Sequence, residues 1–407
     1  MRIPAPCGWR TARTRSTTAP LPDWKFGSIP TLRSTRREGH SGAPAINLTI
    51  QRSVAVVDFR RDEDYSGTKP VEERHRIDEL RLDGWMREYV EGYEGPLTVL
   101  QFKGGQSNPT YRLDTPKRSY VMRRKPFGKL LPSAHAVDRE FRVIAALGKQ
   151  GFPVARAYAL CTDDSVIGAA FYIMSMEEGR VFWDPTLPSQ TPESRRAIFT
   201  SKIETLAKLH QYDPEQIGLG DFGKPGNYFA RQVDRWTKQY RASETQHIPE
   251  IEKLIEWLPR TVPEQARVSV VHGDYRLDNM IFHATEPRVQ AVLDWELSTL
   301  GDPLADFTYL LMQWTMPGLH GADLKALNIP SMDEAAEIYC KATGRPAIAN
   351  LDWYFSYNLF RLACITQGIA GRVRDGTAAS AKAMESAKRT VPLSKSSWDY
   401  ARRAGAA

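Results

Sequence analysis

Two short apolar runs, residues 268–271 and 289–293, each lead into oxygen-bearing side chains, and no other feature restricts this chain so tightly. The first, Val268-Ser269-Val270-Val271, opens into His272-Gly273-Asp274-Tyr275-Arg276-Leu277-Asp278-Asn279. The second, Val289-Gln290-Ala291-Val292-Leu293, ends in Asp294-Trp295-Glu296. Short runs rich in β-branched residues and bounded by polar groups read as strands. Asp274 and Asn279 stand five residues apart in one tight loop, and Asp294 follows Asp274 by twenty residues. A carboxylate that ends an apolar strand projects into whatever cleft borders the core.

Phosphoryl transfer from a nucleotide needs this set of groups. One carboxylate must orient the acceptor hydroxyl and take its proton, and separate oxygen ligands must hold Mg2+ against the phosphates. The protein-kinase catalytic loop places its base five residues before its metal-binding Asn. Asp274 and Asn279 keep that interval, and Asp294-Trp295-Glu296 stands where Asp-Phe-Gly would stand. Asp274 is therefore expected as the catalytic base, with Asn279 and Asp294 as metal ligands. Asp278 is set aside because the interval selects Asp274. His272 is expected to brace the loop, and Asp306, inside the apolar run 304–311, to hold loop backbone.

Composition removes several other classes. With 42% hydrophobic and 25% charged residues the chain is globular. It has no apolar run of 18 residues, so no membrane span is expected. Four cysteines (Cys7, Cys161, Cys340 and Cys364) lie far apart without zinc or C-x-x-C spacing, which fits a reducing cytoplasm. The net charge of +7 suggests nucleic acid until it is located: residues 1–60 hold ten Lys/Arg against three Asp/Glu, and the remainder is neutral. No basic stripe is left for the folded body, so no nucleic-acid partner is expected. Residues 1–66 are rich in Arg, Ser, Thr, Pro and Gly without apolar periodicity, and read as a disordered basic tail. That composition is also one of an organellar transit peptide.

Order is expected from residue 67. Leu82, Trp85, Met86 and Tyr89 fall at helical spacing, and strand-like runs follow at 97–102, 110–113 and 119–123. A helix over 135–147 precedes a strand pair at 155–161 and 170–174, and from Pro192 helices dominate. A small β-rich lobe (67–178) thus precedes a larger, mainly helical lobe (179–407), an α+β arrangement with a cleft between the two. In the helix over 135–147, Glu140 shares the face of Val137, Phe141 and Ile144, and an acid on a core-facing stripe needs a partner. Arg123 and Lys125 alternate onto one face of the preceding strand, and either offers the partner. Gly218-Leu219-Gly220-Asp221-Phe222-Gly223 matches a dinucleotide-binding fingerprint but lacks the strand before and the helix after it, so it reads as a surface loop. His210 shares a helical face with Ile203, Leu206 and Ala207 and reads as a packed histidine.

Val-x-His-Gly-Asp-x-x-x-x-Asn followed by x-Val-Leu-Asp-Trp-Glu resembles the aminoglycoside phosphotransferase / choline kinase-like family, and the likeness runs over about residues 70–370. Gly104, Gly105, Gln106, Ser107 and Asn108 resemble its nucleotide-loop hairpin, Tyr120–Pro126 its basic strand, and Asp138–Phe141 its acidic helix. The subgroup it is most similar to has relatives fused to acyl-CoA dehydrogenases. The resemblance implies a two-lobed protein-kinase-like fold and ATP and Mg2+ as cofactors. It places Arg123 and Glu140 at the phosphates and Met176 and Glu177 at the adenine hinge. It further implies a γ-phosphate passed to a hydroxyl of a small molecule, with a hydroxyacyl-CoA as the acceptor implied by the subgroup. The acceptor should bind in the helical lobe beside Asp274, where Arg276, Trp314, Tyr354, Tyr357 and Arg361 are candidate walls. Arg361, Arg372 and Arg374 face only Asp352 in residues 351–374, a polarity opposed to polycationic acceptors. Two alternatives stay open: a catalytically silent kinase fold that binds without transfer, and an aminoglycoside-type antibiotic kinase.

Overall fold

A computed structural model describes residues 67–103, 108–127, 136–316, 319–377 and 383–407. The tail and Gly104, Gly105, Gln106 and Ser107 of the expected nucleotide loop lie outside the described residues. In the first lobe, strands β1 (Thr68–Lys69), β2 (Thr98–Phe102), β3 (Thr110–Asp114), β4 (Ser119–Arg124), β5 (Ala157–Cys161) and β6 (Phe171–Ser175) form one antiparallel sheet of order β1-β2-β3-β4-β6-β5. Side chains of a strand alternate between faces. One face, carrying Tyr111, Leu113, Met122 and Ile173, packs on helix α1 (Glu79–Tyr89). Its partners on that helix are Leu82 and Met86. Trp85 lies at the edge of this core and Tyr89, expected in the buried stripe, is exposed and stacks on Trp85 at 5.1 Å. The other face meets helix α2 (Val137–Lys149), whose buried positions Val137, Glu140, Val143, Ile144 and Leu147 follow helical spacing.

Register decides what reaches the cleft. Arg123 on β4 is paired with Tyr172 on β6 and Thr110 on β3, so it lies on the α2 side of the sheet. Arg124 points the other way and is fully buried, with Nε donating to Tyr111 Oη at 2.9 Å. A slip of one residue would exchange the two arginines.

The second lobe begins with helix α3 (Pro192–Gln211), capped by Thr191 and opened by Pro192 at its first position. It continues through α4 (Tyr228–Ser243), α5 (Pro249–Arg260), α6 (Leu304–Leu311), α7 (Leu324–Leu327), α8 (Met332–Thr343), α9 (Leu351–Arg374), α10 (Ala383–Ala387) and α11 (Thr390–Arg403). α9 is buried on most of its circumference because α4, α6 and α11 surround it. Two small antiparallel ladders lie against this helical body: β7 (Ser269–Val271) with β10 (Thr299–Gly301), and β8 (Met280–Phe282) with β9 (Val289–Val292). The Gly218–Gly223 segment is a loop, but its apolar members are not on the surface: Leu219 and Phe222 are both 0% exposed and plug the helical core. No described helix is long and apolar enough to cross a membrane.

The segment leaving the first lobe is fastened to the second by a backbone bridge. Arg180 and Phe282 exchange backbone hydrogen bonds, 2.8 Å each way. Gly179 sits directly before this bridge, where a Cβ would stand 2.1 Å from the Phe282 carbonyl oxygen. Since backbone, not a flexible side chain, blocks that position, Gly179→Ala should destabilise the fold by about 1–3 kcal/mol through overpacking. Chemical denaturation checks this; an unchanged midpoint would show that the crossing relaxes freely.

Candidate active site

The loop after β7 turns at Gly273, whose φ of 86° suits glycine and where a Cβ would meet the Leu297 carbonyl at 2.9 Å. Asp306 holds this turn from beneath. Its carboxylate accepts from His272 N at 2.5 Å and from Gly273 N at 2.8 Å, with His210 Nε2 at 3.4 Å. Burial alone would raise the Asp306 pKa, but the His210 contact and the backbone donors hold it below the usual value. His210 completes the support through a 2.8 Å contact from Nδ1 to the Tyr339 hydroxyl. His272 accepts from Asp274 N through Nδ1 at 3.2 Å, and so donates from Nε2 to the Leu293 carbonyl at 2.8 Å. It braces the loop against the end of β9, as its position in the sequence implies.

Asp274 emerges from this frame with its side chain about one-fifth exposed. Asn279 Nδ2 donates to its backbone oxygen at 2.9 Å and to Oδ2 at 3.1 Å. Tyr309 Oη donates to Oδ1 at 2.9 Å, and Arg276 Nε lies 3.2 Å from the same oxygen. With its nitrogen committed to Asp274, Asn279 has its amide oxygen left to serve a cation. Asn279 in turn accepts from Leu293 N through its backbone oxygen at 2.9 Å, which sets the two loops side by side.

Asp294 follows at φ 64°, ψ 63°, a left-handed conformation that Asp tolerates better than most residues. Its Oδ1 lies 2.9 Å from Arg123 Nη2, and Glu296 Oε2 lies 3.2 Å from the same nitrogen. Arg123 Nε lies 3.1 Å from Glu140 Oε2, a charge contact whose N–H is not aimed as a hydrogen bond requires. Glu140 is 1% exposed and is satisfied instead by Asn108 Nδ2 at 2.9 Å and Tyr172 Oη at 3.1 Å. Three carboxylates therefore face one guanidinium. Burial pushes the Glu140 carboxyl up to about 7; Arg123 pulls it down, while Asp294 and Glu296 add to the rise. This local excess of negative charge, offered by hard oxygen donors, suits a divalent cation such as Mg2+.

These groups border a cavity of about 360 Å³ between the lobes, within the range of small-ligand sites. Val121, Ile144 and Met174 supply apolar walls, Met176 and Glu177 the hinge side, and Arg123, Asn279, Asp294 and Glu296 the charged end. Glu177 is held by Gln290 Nε2 at 3.3 Å, across the lobes. Lys125, the competing basic residue, lies outside and 3.8 Å from Asp138. Asn108, expected at the phosphates, is fully buried and spends its amide on Glu140.

A second cavity, of about 300 Å³, opens beside Asp274 and is bordered by Arg276 and Tyr309, both in contact with that carboxylate. Of the expected acceptor walls, only Arg276 lines it. Trp314 is 5% exposed, packs on Phe199 and donates to the Pro330 carbonyl at 2.8 Å. Tyr357 is 1% exposed between Phe229 and Trp353, and Tyr354 joins the same cluster. All three are core residues, because an aromatic gains more from full burial among other rings than from half-burial in a pocket. Arg361 braces the loop, donating to the Gly273 carbonyl at 2.6 Å and lying 5.3 Å from the Tyr309 ring. Sequence reasoning missed Tyr309, Glu296 and Tyr172 as site members. Tyr309 sits within the apolar run 304–311, where nothing in the pattern separates it from core residues. Glu296 carried a signal, since it stands two residues past Asp294 at the cleft.

Comparison with known proteins agrees with this geometry. The profile of the phosphotransferase enzyme family matches residues 98–354. Acyl-CoA dehydrogenase family member 10 of Mus musculus is 44% identical over 346 residues, covering 83% of this chain and 32% of that protein. Family member 11 of Homo sapiens is 39% identical, covering 81% and 44%. The chain thus spans between about a third and under half of the length of these relatives. A crystal structure from Ralstonia eutropha, provisionally described as an aminoglycoside phosphotransferase, is 50% identical, with a TM-score of 0.75 over 81% of this chain and 99% of that one. The aminoglycoside phosphotransferase APH(4)-Ia with AMP-PNP and hygromycin B shares the fold alone, at 14% identity and a TM-score of 0.53 over 80% of this chain and 98% of that one. The β-rich lobe, the helical lobe and the paired loops between them are thus those of a protein-kinase-like fold. With the profile match spanning more than half of its length, the chain belongs to the phosphotransferase enzyme family.

Proposed function

We propose that the protein transfers the γ-phosphate of ATP to a hydroxyl group of a small molecule, with Asp274 as the base. The observation that carries this reading is that Asn279 and Asp294 line the charged end of one inter-lobe cavity together with Arg123, while Asn279 is hydrogen-bonded to the Asp274 carboxylate beside it. Adenine is assigned to the apolar hinge side, against Met174 and backbone near Met176, and the phosphates to Arg123. Guanidinium keeps its charge at all working pH values and matches phosphate oxygens bidentately. Asn279 and Asp294 would hold Mg2+, which when bound neutralises charge on the β- and γ-phosphates.

Asp274 Oδ2 hydrogen-bonds the acceptor hydroxyl and takes its proton as the acceptor oxygen forms its bond to the γ-phosphorus. The bond from that phosphorus to the β–γ bridging oxygen breaks, and its electron pair leaves with ADP. Tyr309 and Asn279 fix the carboxylate's rotation, and Tyr309 and Arg276, which both touch it, border the second cavity. That cavity is largely apolar and contains Arg276 and Arg389 against Asp278 alone, which favours a neutral or anionic acceptor over a polycation. A hydroxyacyl-CoA has this character, and the relatives' names connect the family to acyl-CoA chemistry. It is therefore preferred to an aminoglycoside as the acceptor.

Asp274→Ala should lower acceptor-dependent release of ADP by about 10²–10⁴-fold, the range for a lost general base; unchanged turnover would remove Asp274 from that role. Asp294→Ala should abolish the Mg2+-dependent part of the thermal stabilisation given by ATP, measured by shift titration with and without the ion. If the full shift survives, the metal assignment is wrong. Arg123→Met should raise KM for ATP about 10–100-fold, the loss of one or two charge-assisted hydrogen bonds. ATP binding by the wild type without transfer to any hydroxylated acceptor would favour a silent binding module instead.

A further inference from the structure

Lys202 is the most unusual buried group outside the cleft. It lies in the middle of α3, is 1% exposed, and directs its ammonium not to a carboxylate but to an amide: Nζ donates to Gln313 Oε1 at 2.5 Å. Burial pushes this ammonium down to about 7, against the upward pull of Asp278. Keeping such a group inside a core is costly, and a methionine would fill the space without that penalty. Its position is fixed relative to the catalytic loop, since Tyr275 Oη donates to the Lys202 carbonyl at 2.9 Å.

Gln313 is only half-buried and lines the second cavity, together with Arg276, Tyr309, Leu310, Met312 and Met316. A primary amide has an oxygen end that accepts and a nitrogen end that donates. In the observed contact Lys202 Nζ donates to the oxygen end, and as the protonated ammonium it can do nothing else, so that form leaves the nitrogen end for the cavity. We infer that Lys202 is a positioning residue that turns the Gln313 amide so that its N–H donors recognise a carbonyl or carboxylate oxygen of the acceptor, a few bonds from the hydroxyl that Asp274 addresses. The acceptor class is then a hydroxylated molecule with an apolar body and an acyl oxygen, and an alcohol lacking that oxygen is discriminated against. This rests on the reading of Asp274 as the base and narrows the acceptor within it.

Two probes test it: a medium-chain 4-hydroxyacyl-CoA, and its thioether analogue in which a methylene replaces the thioester carbonyl. The readout is the ratio of kcat/KM for the two, which general damage to fold or catalysis lowers equally for both. Wild type should prefer the thioester about 10–100-fold, as expected for one buried polar contact. Gln313→Leu and Lys202→Met should bring the ratio near one, while Lys202→Arg, still a pure donor, should retain the preference. A ratio near one in the wild type, or a wild-type ratio preserved in Gln313→Leu, overturns the inference. A preference kept in Lys202→Met removes Lys202 from the positioning role. If the wild type uses neither probe while ATP hydrolysis remains sensitive to Asp274→Ala, the inference fails and the phosphoryl-transfer reading stands; turnover insensitive to Asp274→Ala would sink that reading instead.

Discussion

One guanidinium holds the cleft together. Arg123 reaches Glu140 on α2 through Nε and Asp294 and Glu296 at the end of β9 through Nη2, so three segments far apart in sequence meet on one side chain. Arginine suits this place because it cannot relieve the strain of burial by losing its proton. Lysine would supply a point charge, but it lacks the planar fork that serves several oxygens at once. The arrangement is nevertheless unbalanced, with three carboxylates to one cation; burial does most to push Glu140 up, and Asp294 and Glu296 add to it. Surplus negative charge offered by hard oxygen donors is the chemistry that suits a divalent cation.

The second lobe contributes rigidity to a place that would otherwise be a flexible loop. Backbone N–H groups of His272 and Gly273 face inward, where leaving them unpaired would cost free energy. A buried carboxylate satisfies both; His210 in turn approaches the carboxylate through Nε2 and is held at Nδ1 by Tyr339. From above, Arg361 closes the loop through the Gly273 carbonyl. Asp274 is therefore carried on a turn whose donors and acceptors are matched on both sides, and its own carboxylate is oriented by Tyr309 and Asn279.

What could be read from the sequence was what depends on local spacing. The interval from Asp274 to Asn279, the strand-terminal Asp294 and the helical stripe that includes Glu140 are properties of short segments, and the structure keeps them. Strand alternation and the need of Glu140 for a partner offered both Arg123 and Lys125, and the register of the family resemblance favoured Arg123. Trp314 and Tyr357 could not be placed this way. Whether an aromatic on a helix faces a pocket or a neighbouring helix depends on the crossing of elements that are remote in sequence, and both residues found ring partners in the interior. The same holds for Leu219 and Phe222, buried within a segment whose glycines suggested an exposed loop. Tyr309 and Gln313 were invisible for the opposite reason: each sits in or beside an apolar helix where a single polar atom decides its role.

The left-handed turn at Asp294 shows how these levels act together. A non-glycine residue in that region costs on the order of 1–3 kcal/mol unless its surroundings determine it. Here both flanks are fixed: Leu293 is tied through its N–H to Asn279 and through its carbonyl to His272, and the Trp295 indole donates to the Val292 carbonyl at 3.0 Å. The chain must reverse between an immobile strand end and a buried indole, and the turn swings the Asp294 carboxylate out of line with β9 and into the cleft. Trp295 is thus more than filler in the position where a protein kinase has phenylalanine. By locking the turn from below, it converts a conformational cost into the direction of the Asp294 carboxylate, and it makes His272, whose ring lies 4.7 Å from the indole, the common support of the loops that carry Asp274 and Asp294.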